Sequence, residues 1–139
     1  MDPPNNSFFL TKAEASLRHI EGAIAAFEKG HYDIAITLAG AAEGMAPETA
    51  APNLFKVLRD HPRIAAEGTT MAEWNATLNL ERDWLKHAGP THPSTMTFER
   101  SAAVIMLVRA ISKTQAAFGF QSGAIEAFRA WVTKNVDDF

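Results

Sequence analysis

The chain has 139 residues, of which 47% are hydrophobic and 21% are charged, so it has the length and composition of one globular domain and not of a disordered segment. The absence of cysteine excludes disulfides and thiolate metal sites, and the net charge of -3 excludes a polyanion-binding surface over the whole domain. The acidic start MDPPNNSFFL does not resemble a secretory signal, and no stretch reaches the ~20 apolar residues of a membrane span. We therefore expect a soluble cytoplasmic protein without a membrane partner.

A helical hairpin is predicted after an N-terminal tail, residues 1–10. Thr11 and Glu14 have the spacing of a capping box, in which both side chains bind amides that lack helical partners. Apolar residues then recur at three- and four-residue steps, which predicts a first helix that ends at Gly30. These residues are Leu17, Ile20, Ile24 and Phe27. An alanine-rich second helix is predicted from about Tyr32 to Met45, and the short connection makes the two helices antiparallel neighbours.

Four further helices are predicted beyond the hairpin. They are a short inserted helix that starts at Pro52 and includes Leu58, a third long helix from about Thr70 to His87, a fourth long helix from Thr95 or Thr97 to about Gly119, and a last helix from about Ser122 to Lys134. No segment shows the two-residue alternation of a strand. The sequence therefore predicts a single all-α domain, residues 1–139. We expect an up-down four-helix bundle with the short inserted helix and an extra C-terminal helix.

The end of the third helix, residues 81–89 (ERDWLKHAG), carries the densest group of polar residues. Arg82 and His87 are five residues apart, so they point about 140° apart on a continuous helix and converge only if the helix frays near the Gly-Pro stop. Asp83 and His87 share a face, and the carboxylate could fix the imidazole tautomer. A polar stripe continues along the helix. Its members are Asn75, Asn79, Arg82 and Lys86.

These residue types suit metal-independent cleavage of RNA. A histidine can move a proton near neutral pH, and an arginine can hold a phosphate through two parallel hydrogen bonds. The 2′-hydroxyl would attack the adjacent phosphate, with His87 as general base or acid and Arg82 stabilising the added negative charge. The spacing alone favours a structural interpretation, because a histidine in the last turn of a helix interacts well with the helix dipole.

The motif R-D-W-L-K-H on the third long helix resembles that of the HEPN superfamily (higher eukaryotes and prokaryotes nucleotide-binding domains). The family motif is an arginine, four to six further residues and a histidine, often with a polar residue directly after the arginine. Arg82, Asp83 and His87 match all three places. The junction FEKGHY, residues 27–32, and the alanine-rich second helix with Glu43 resemble the family's opening hairpin. The resemblance covers roughly residues 11–117.

The resemblance implies a HEPN-like fold and a homodimer in which two copies of the motif face one cleft. It implies RNA or a nucleotide as the ligand and endoribonuclease activity of the kind found in toxin–antitoxin systems, with an antitoxin-type protein as a partner. Carried over to this chain, Arg82 and His87 are catalytic and Asp83 supports them. The polar stripe adds binding residues, which are Asn79, Lys86 and Asn75. Other members of the family are non-catalytic interaction or scaffold modules, and this is the alternative function for the chain.

A metal or cofactor site is not expected. His87 and His92 bracket a Gly-Pro turn, but no third ligand is evident and the acidic helices lack an E-x-x-H motif. No glycine-rich phosphate loop is present, and Gly40 and Gly44 inside the second helix indicate close packing. Trp74 and Trp84 are expected in the core or in a dimer interface.

Overall fold

A computed structural model describes residues 6–47, 71–87 and 93–135, with the side chains of residues 71–78 left out. Within these ranges the chain forms five α-helices and no strand, which confirms the all-α fold. They are α1 (Lys12–Glu28), α2 (Tyr32–Gly44), α3 (Met71–Lys86), α4 (Arg100–Phe118) and α5 (Gly123–Asn135). The predicted inserted helix near Pro52 and the Gly89-Pro90 stop lie outside the described residues. None of the helices in the described ranges is long and apolar enough to cross a membrane.

Both predicted ends of α1 are confirmed. The amide of Glu14 donates to Thr11 Oγ1 at 3.1 Å, and the amide of Thr11 donates to Glu14 Oε1 at 3.3 Å, which completes the capping box. At the other end Gly30 adopts a left-handed φ of +77°. The amides of Gly30 and His31 donate back to the carbonyls of Phe27 and Ala26, the two bonds of a Schellman motif. The chain therefore reverses at Gly30 and starts α2 at once.

The α1–α2 hairpin is antiparallel, as predicted. Ser16 Oγ, near the start of α1, donates to the carbonyl of Ala42, near the end of α2, at 3.3 Å. Midway along the hairpin, a Cβ atom at Gly22 would lie 3.2 Å from Leu38 Cδ1. One face of α2 carries three fully buried alanines. They are Ala35, Ala39 and Ala42. Their small side chains let α1 and α4 approach α2 closely.

The long helix α4 forms the centre of the core. Every residue from Ala102 to Val108 is buried, so α4 is covered on all sides in this stretch and packs against α1, α2 and α5. It ends at Gly119, whose φ of +69° is left-handed, where the sequence predicted its end. The last helix, α5, packs Phe128 against Phe27 of α1 with ring centroids 5.6 Å apart. Ser122 Oγ accepts from the amide of Ile125, so α5 also begins where predicted.

The predicted start of α4 was wrong. The helix begins at Arg100, and Thr95 and Thr97 lie in the non-helical segment before it. Contacts with α3 explain the difference, because the indole Nε1 of Trp84 donates to the carbonyl of Pro93 at 2.6 Å. The Trp84 ring also packs edge-on against Phe98, with centroids 5.7 Å apart. These contacts hold residues 93–99 against α3.

Substitution Thr11→Ala removes the hydroxyl half of the capping box. We expect the free energy of unfolding to fall by about 1 kcal/mol, because the Glu14 amide loses its acceptor. Urea denaturation followed by circular dichroism measures this change. The control is Thr133→Ala inside α5, where the hydroxyl only bonds back to the Arg129 carbonyl and a change below ~0.5 kcal/mol is expected. Equal losses in the two variants would contradict a capping role for Thr11.

Candidate functional site

The C-terminal turns of α3 carry the residues that the sequence singled out. Asn79, Asp83, Lys86 and His87 are exposed, whereas Arg82 is half-buried. The amide of His87 donates to the carbonyl of Asp83 at 2.9 Å, so helical hydrogen bonding continues to His87 without the expected fraying. Arg82 and His87 therefore point about 140° apart and do not share a face of α3. The side chain of Asn75 lies outside the described residues.

Arg82 crosses α2 at Gly40. A Cβ atom at Gly40 would lie 3.0 Å from Arg82 Cδ and 3.4 Å from its Cγ and Nε atoms. A side chain at this position would therefore push the arginine away from α2. The close packing predicted for Gly40 is confirmed, and the group packed against it is the stem of Arg82. The same prediction was wrong for Gly44, where an added Cβ atom would meet nothing within 4 Å among the described residues.

Glu43 receives the guanidinium groups of two arginines. Its Oε1 accepts from Arg82 Nη1 at 3.4 Å, and its Oε2 accepts from Arg109 Nε at 2.5 Å. Arg109 Nη2 also donates to Asn79 Oδ1 at 3.3 Å. The side chains of Glu43, Arg109 and Arg82 are 11%, 12% and 23% exposed. We call Glu43, Arg82, Arg109 and Asn79 the Glu43 network; it connects α2, α3 and α4.

In the Glu43 network a single carboxylate receives two guanidinium groups. Arg82 Nε is buried and has no hydrogen-bond partner within the described part of the chain. The Arg82–Glu43 contact of 3.4 Å is long for a charge-assisted hydrogen bond. Glu43 thus positions Arg82 without satisfying its whole guanidinium, and phosphate is an anion that a guanidinium group can bind.

Two members of this network were not predicted as site residues from the sequence. Glu43 entered only through the resemblance to a family hairpin, and Arg109 was not predicted at all. Both are single charged residues in apolar surroundings, Glu43 in LAGAAEGMA and Arg109 in AAVIMLVRAI. A buried charge needs a partner of opposite charge. A single charge within an apolar run is therefore the signal that could have predicted the Glu43–Arg109 pair.

Glu81 lies on α3 and precedes Arg82 in the sequence. Its Oε2 atom is buried and has no hydrogen-bond partner among the described residues. Burial raises the pKa of the Glu81 carboxyl, and the negative charge of Glu99 raises it further. Ionised Glu81 therefore destabilises the contact between α3 and the segment that precedes α4.

A metal centre has no support in the parts of the chain that the structure describes. No group of three or more histidine, aspartate or glutamate side chains is placed there to hold a metal ion. His92, which the sequence analysis considered beside His87, lies outside the described residues. The candidate site is therefore defined by arginine, histidine and amide groups.

Comparisons with protein-family models, with curated proteins and with solved structures gave no match to this chain.

Substitution Glu43→Gln keeps the shape of the side chain but removes the charge shared by Arg82 and Arg109. We expect the free energy of unfolding to fall by about 3 kcal/mol, because two largely buried guanidinium groups lose their counterion. The control is Glu126→Gln, which removes an exposed 3.8 Å pair with Arg129 and should cost less than about 1 kcal/mol. Urea denaturation measures both changes. Similar losses of unfolding free energy in the two variants would contradict the role of Glu43 as the carboxylate shared by the two arginines.

Substitution Glu81→Gln should raise the melting temperature at pH 7. A folded-state pKa above the unfolded value means that the folded state binds the proton more tightly, so the wild type loses stability as the pH rises through that pKa. The gain from glutamine should shrink as the pH falls through the raised pKa of the folded state, and it should be lost well below the ordinary pKa of 4.5, where Glu81 is neutral in both states. Calorimetry at pH 4 and pH 7 tests this, with exposed Glu21→Gln as the control. An equal gain in melting temperature at both pH values would contradict the raised pKa of Glu81.

Proposed function

We propose that the protein is a HEPN-like helical bundle that binds RNA and cleaves it without a metal ion, at a cleft formed by the α3 ends of two copies. The observation that carries the proposal is the state of Arg82. Gly40 and Glu43 hold its stem and Nη1, while the side chain as a whole remains 23% exposed. An arginine that is held in place and partly exposed is suited to bind a phosphate of the RNA backbone.

The exposed end of α3 supplies the other groups that this function needs. Lys86 adds a second cation for the RNA backbone, and Asp83 lies one helical turn before His87. Arg82 and His87 point in different directions from one helix. One complete site would therefore combine residues from two copies of the chain. The imidazole of one copy and the guanidinium of the other would then contact the same phosphate.

The proposed reaction is an internal transfer. The 2′-hydroxyl attacks the neighbouring phosphorus, His87 accepts its proton, and Arg82 stabilises the negative charge that accumulates on the phosphoryl oxygens. The bond to the 5′-oxygen of the next nucleotide breaks as that oxygen takes up a proton, leaving a 2′,3′-cyclic phosphate and a 5′-hydroxyl. Such an activity requires access to cytoplasmic RNA. A toxin of this type would also need a neutralising partner protein.

A second candidate function follows from the same contacts. Arg82 is paired inside its own chain, and the Glu43 network joins three helices, which is the arrangement that a purely structural role requires. A non-catalytic interaction module, with the polar end of α3 as its binding face, would use the network only to fix that face. Activity measurements separate the two candidates, because only the first requires the imidazole of His87.

We expect the purified protein to cleave single-stranded RNA in the presence of EDTA, with 2′,3′-cyclic phosphate ends detectable by mass spectrometry. His87→Ala should reduce the rate by about 100-fold or more, because the proton acceptor is lost. Arg82→Lys should reduce it as well, since lysine keeps the charge but not the two parallel donors. The matched control is His31→Ala, an exposed histidine between α1 and α2.

Melting temperatures of all variants separate a catalytic defect from a folding defect. The proposed cleavage is wrong if His87→Ala and wild type produce the same products at the same rate. A wild type that binds RNA or a protein partner but never cleaves RNA favours the interaction module.

A further inference from the structure

The face of α3 that carries His87 also carries an aromatic and an aliphatic side chain. Trp84 lies three residues before His87, so the two are about 60° apart around the helix and about 4.5 Å apart along its axis. Leu80 lies one turn before Trp84 and is 51% exposed. Arg82 points about 160° away from Trp84. The imidazole therefore shares its face of α3 with apolar groups, whereas the arginine lies on another face.

Trp84 is half-buried, and two contacts fix the orientation of its ring. The indole Nε1 donates to the carbonyl of Pro93 at 2.6 Å, and the ring meets Phe98 edge-on with centroids 5.7 Å apart. An edge-on contact leaves at least one face of each ring uncovered by the other ring. The N–H group of Trp84 is already used, so the exposed part of the residue offers a ligand an apolar aromatic surface and no hydrogen bond.

We propose that Trp84 and Leu80 form the binding surface for the base of the nucleotide whose 2′-hydroxyl gives its proton to His87. This inference rests on the proposed RNA cleavage and names the part of the substrate that this face of α3 binds. The base is attached to C1′ of the ribose, next to the carbon that carries the 2′-hydroxyl. A ribose within hydrogen-bond reach of His87 therefore places its base within reach of Trp84. Leu80 extends the apolar surface on the side away from His87.

This surface selects an unpaired base and discriminates little between one base and another. Every base has a π face, so stacking on an aromatic side chain tolerates most sequences. Neither Leu80 nor the indole N–H, which Pro93 occupies, offers a hydrogen bond to the edge of a base. A base inside a duplex is already stacked on its neighbours and has to leave the helix before it can lie on Trp84. The expected substrate is therefore single-stranded RNA of almost any sequence.

A chimeric oligonucleotide isolates the contact between the base and Trp84. It is DNA except for one ribonucleotide, so that only one 2′-hydroxyl can attack, and a second version carries an abasic ribose at the same place. For the wild type, loss of the base should lower kcat/KM about tenfold, mainly through KM, because one stacking contact is lost. In Trp84→Leu the same loss should cost less than about twofold, since the stacking partner is already absent.

Conservative and matched variants separate base binding from a purely structural role. Trp84→Phe keeps an aromatic face and should keep most of the dependence on the base. Leu80→Ala should reduce that dependence in part, and its exposed position keeps the fold intact even if Trp84→Leu does not fold. The control is Ile34→Ala, which truncates another exposed aliphatic side chain, on α2, and should leave the dependence on the base unchanged. Melting temperatures identify any variant whose fold is damaged.

Binding of an all-DNA version separates this inference from the proposed cleavage, because the attacking hydroxyl is absent. Removal of the same base should raise its Kd, measured by fluorescence anisotropy, about tenfold for the wild type and less than about twofold for Trp84→Leu. A wild type that shows this difference but never cleaves the chimera overturns the cleavage and supports the base-binding surface. Cleavage with equal base dependence in wild type and Trp84→Leu overturns the base-binding surface alone. A protein that neither binds nor cleaves overturns both.

Discussion

A buried carboxylate shared by two arginines is the contact on which the arrangement of the helices depends. Glu43 contacts α3 through Arg82 and α4 through Arg109, and its side chain is only 11% exposed. Two ion pairs to one largely buried carboxylate are satisfied in only one register of the three helices. We infer that the network specifies the position of α3 more than it stabilises the fold, because desolvation offsets much of the Coulomb attraction.

The same contact determines what the end of α3 can do chemically. Gly40 and Glu43 limit the movement of Arg82. Such preorganisation strengthens the binding of a phosphate ligand or of a charged transition state. His87, in contrast, is exposed at the end of the helix and points about 140° away from Arg82 on α3. The proposed catalytic site therefore depends on a second copy, and the dimer is a requirement of the chemistry.

The sequence by itself determined the helices and most of their ends. The capping box at Thr11, the left-handed turns at Gly30 and Gly119 and the start of α5 at Ser122 all depend on residues within one or two helical turns of each other. It misplaced the start of α4, because that boundary depends on the contact of Trp84 with Pro93 and Phe98. Only the tertiary structure could pair Glu43 with Arg82 and Arg109, which are 39 and 66 residues away along the chain. Local hydrogen bonds are encoded by spacing, whereas the partner of a buried charge is decided by which helices pack together.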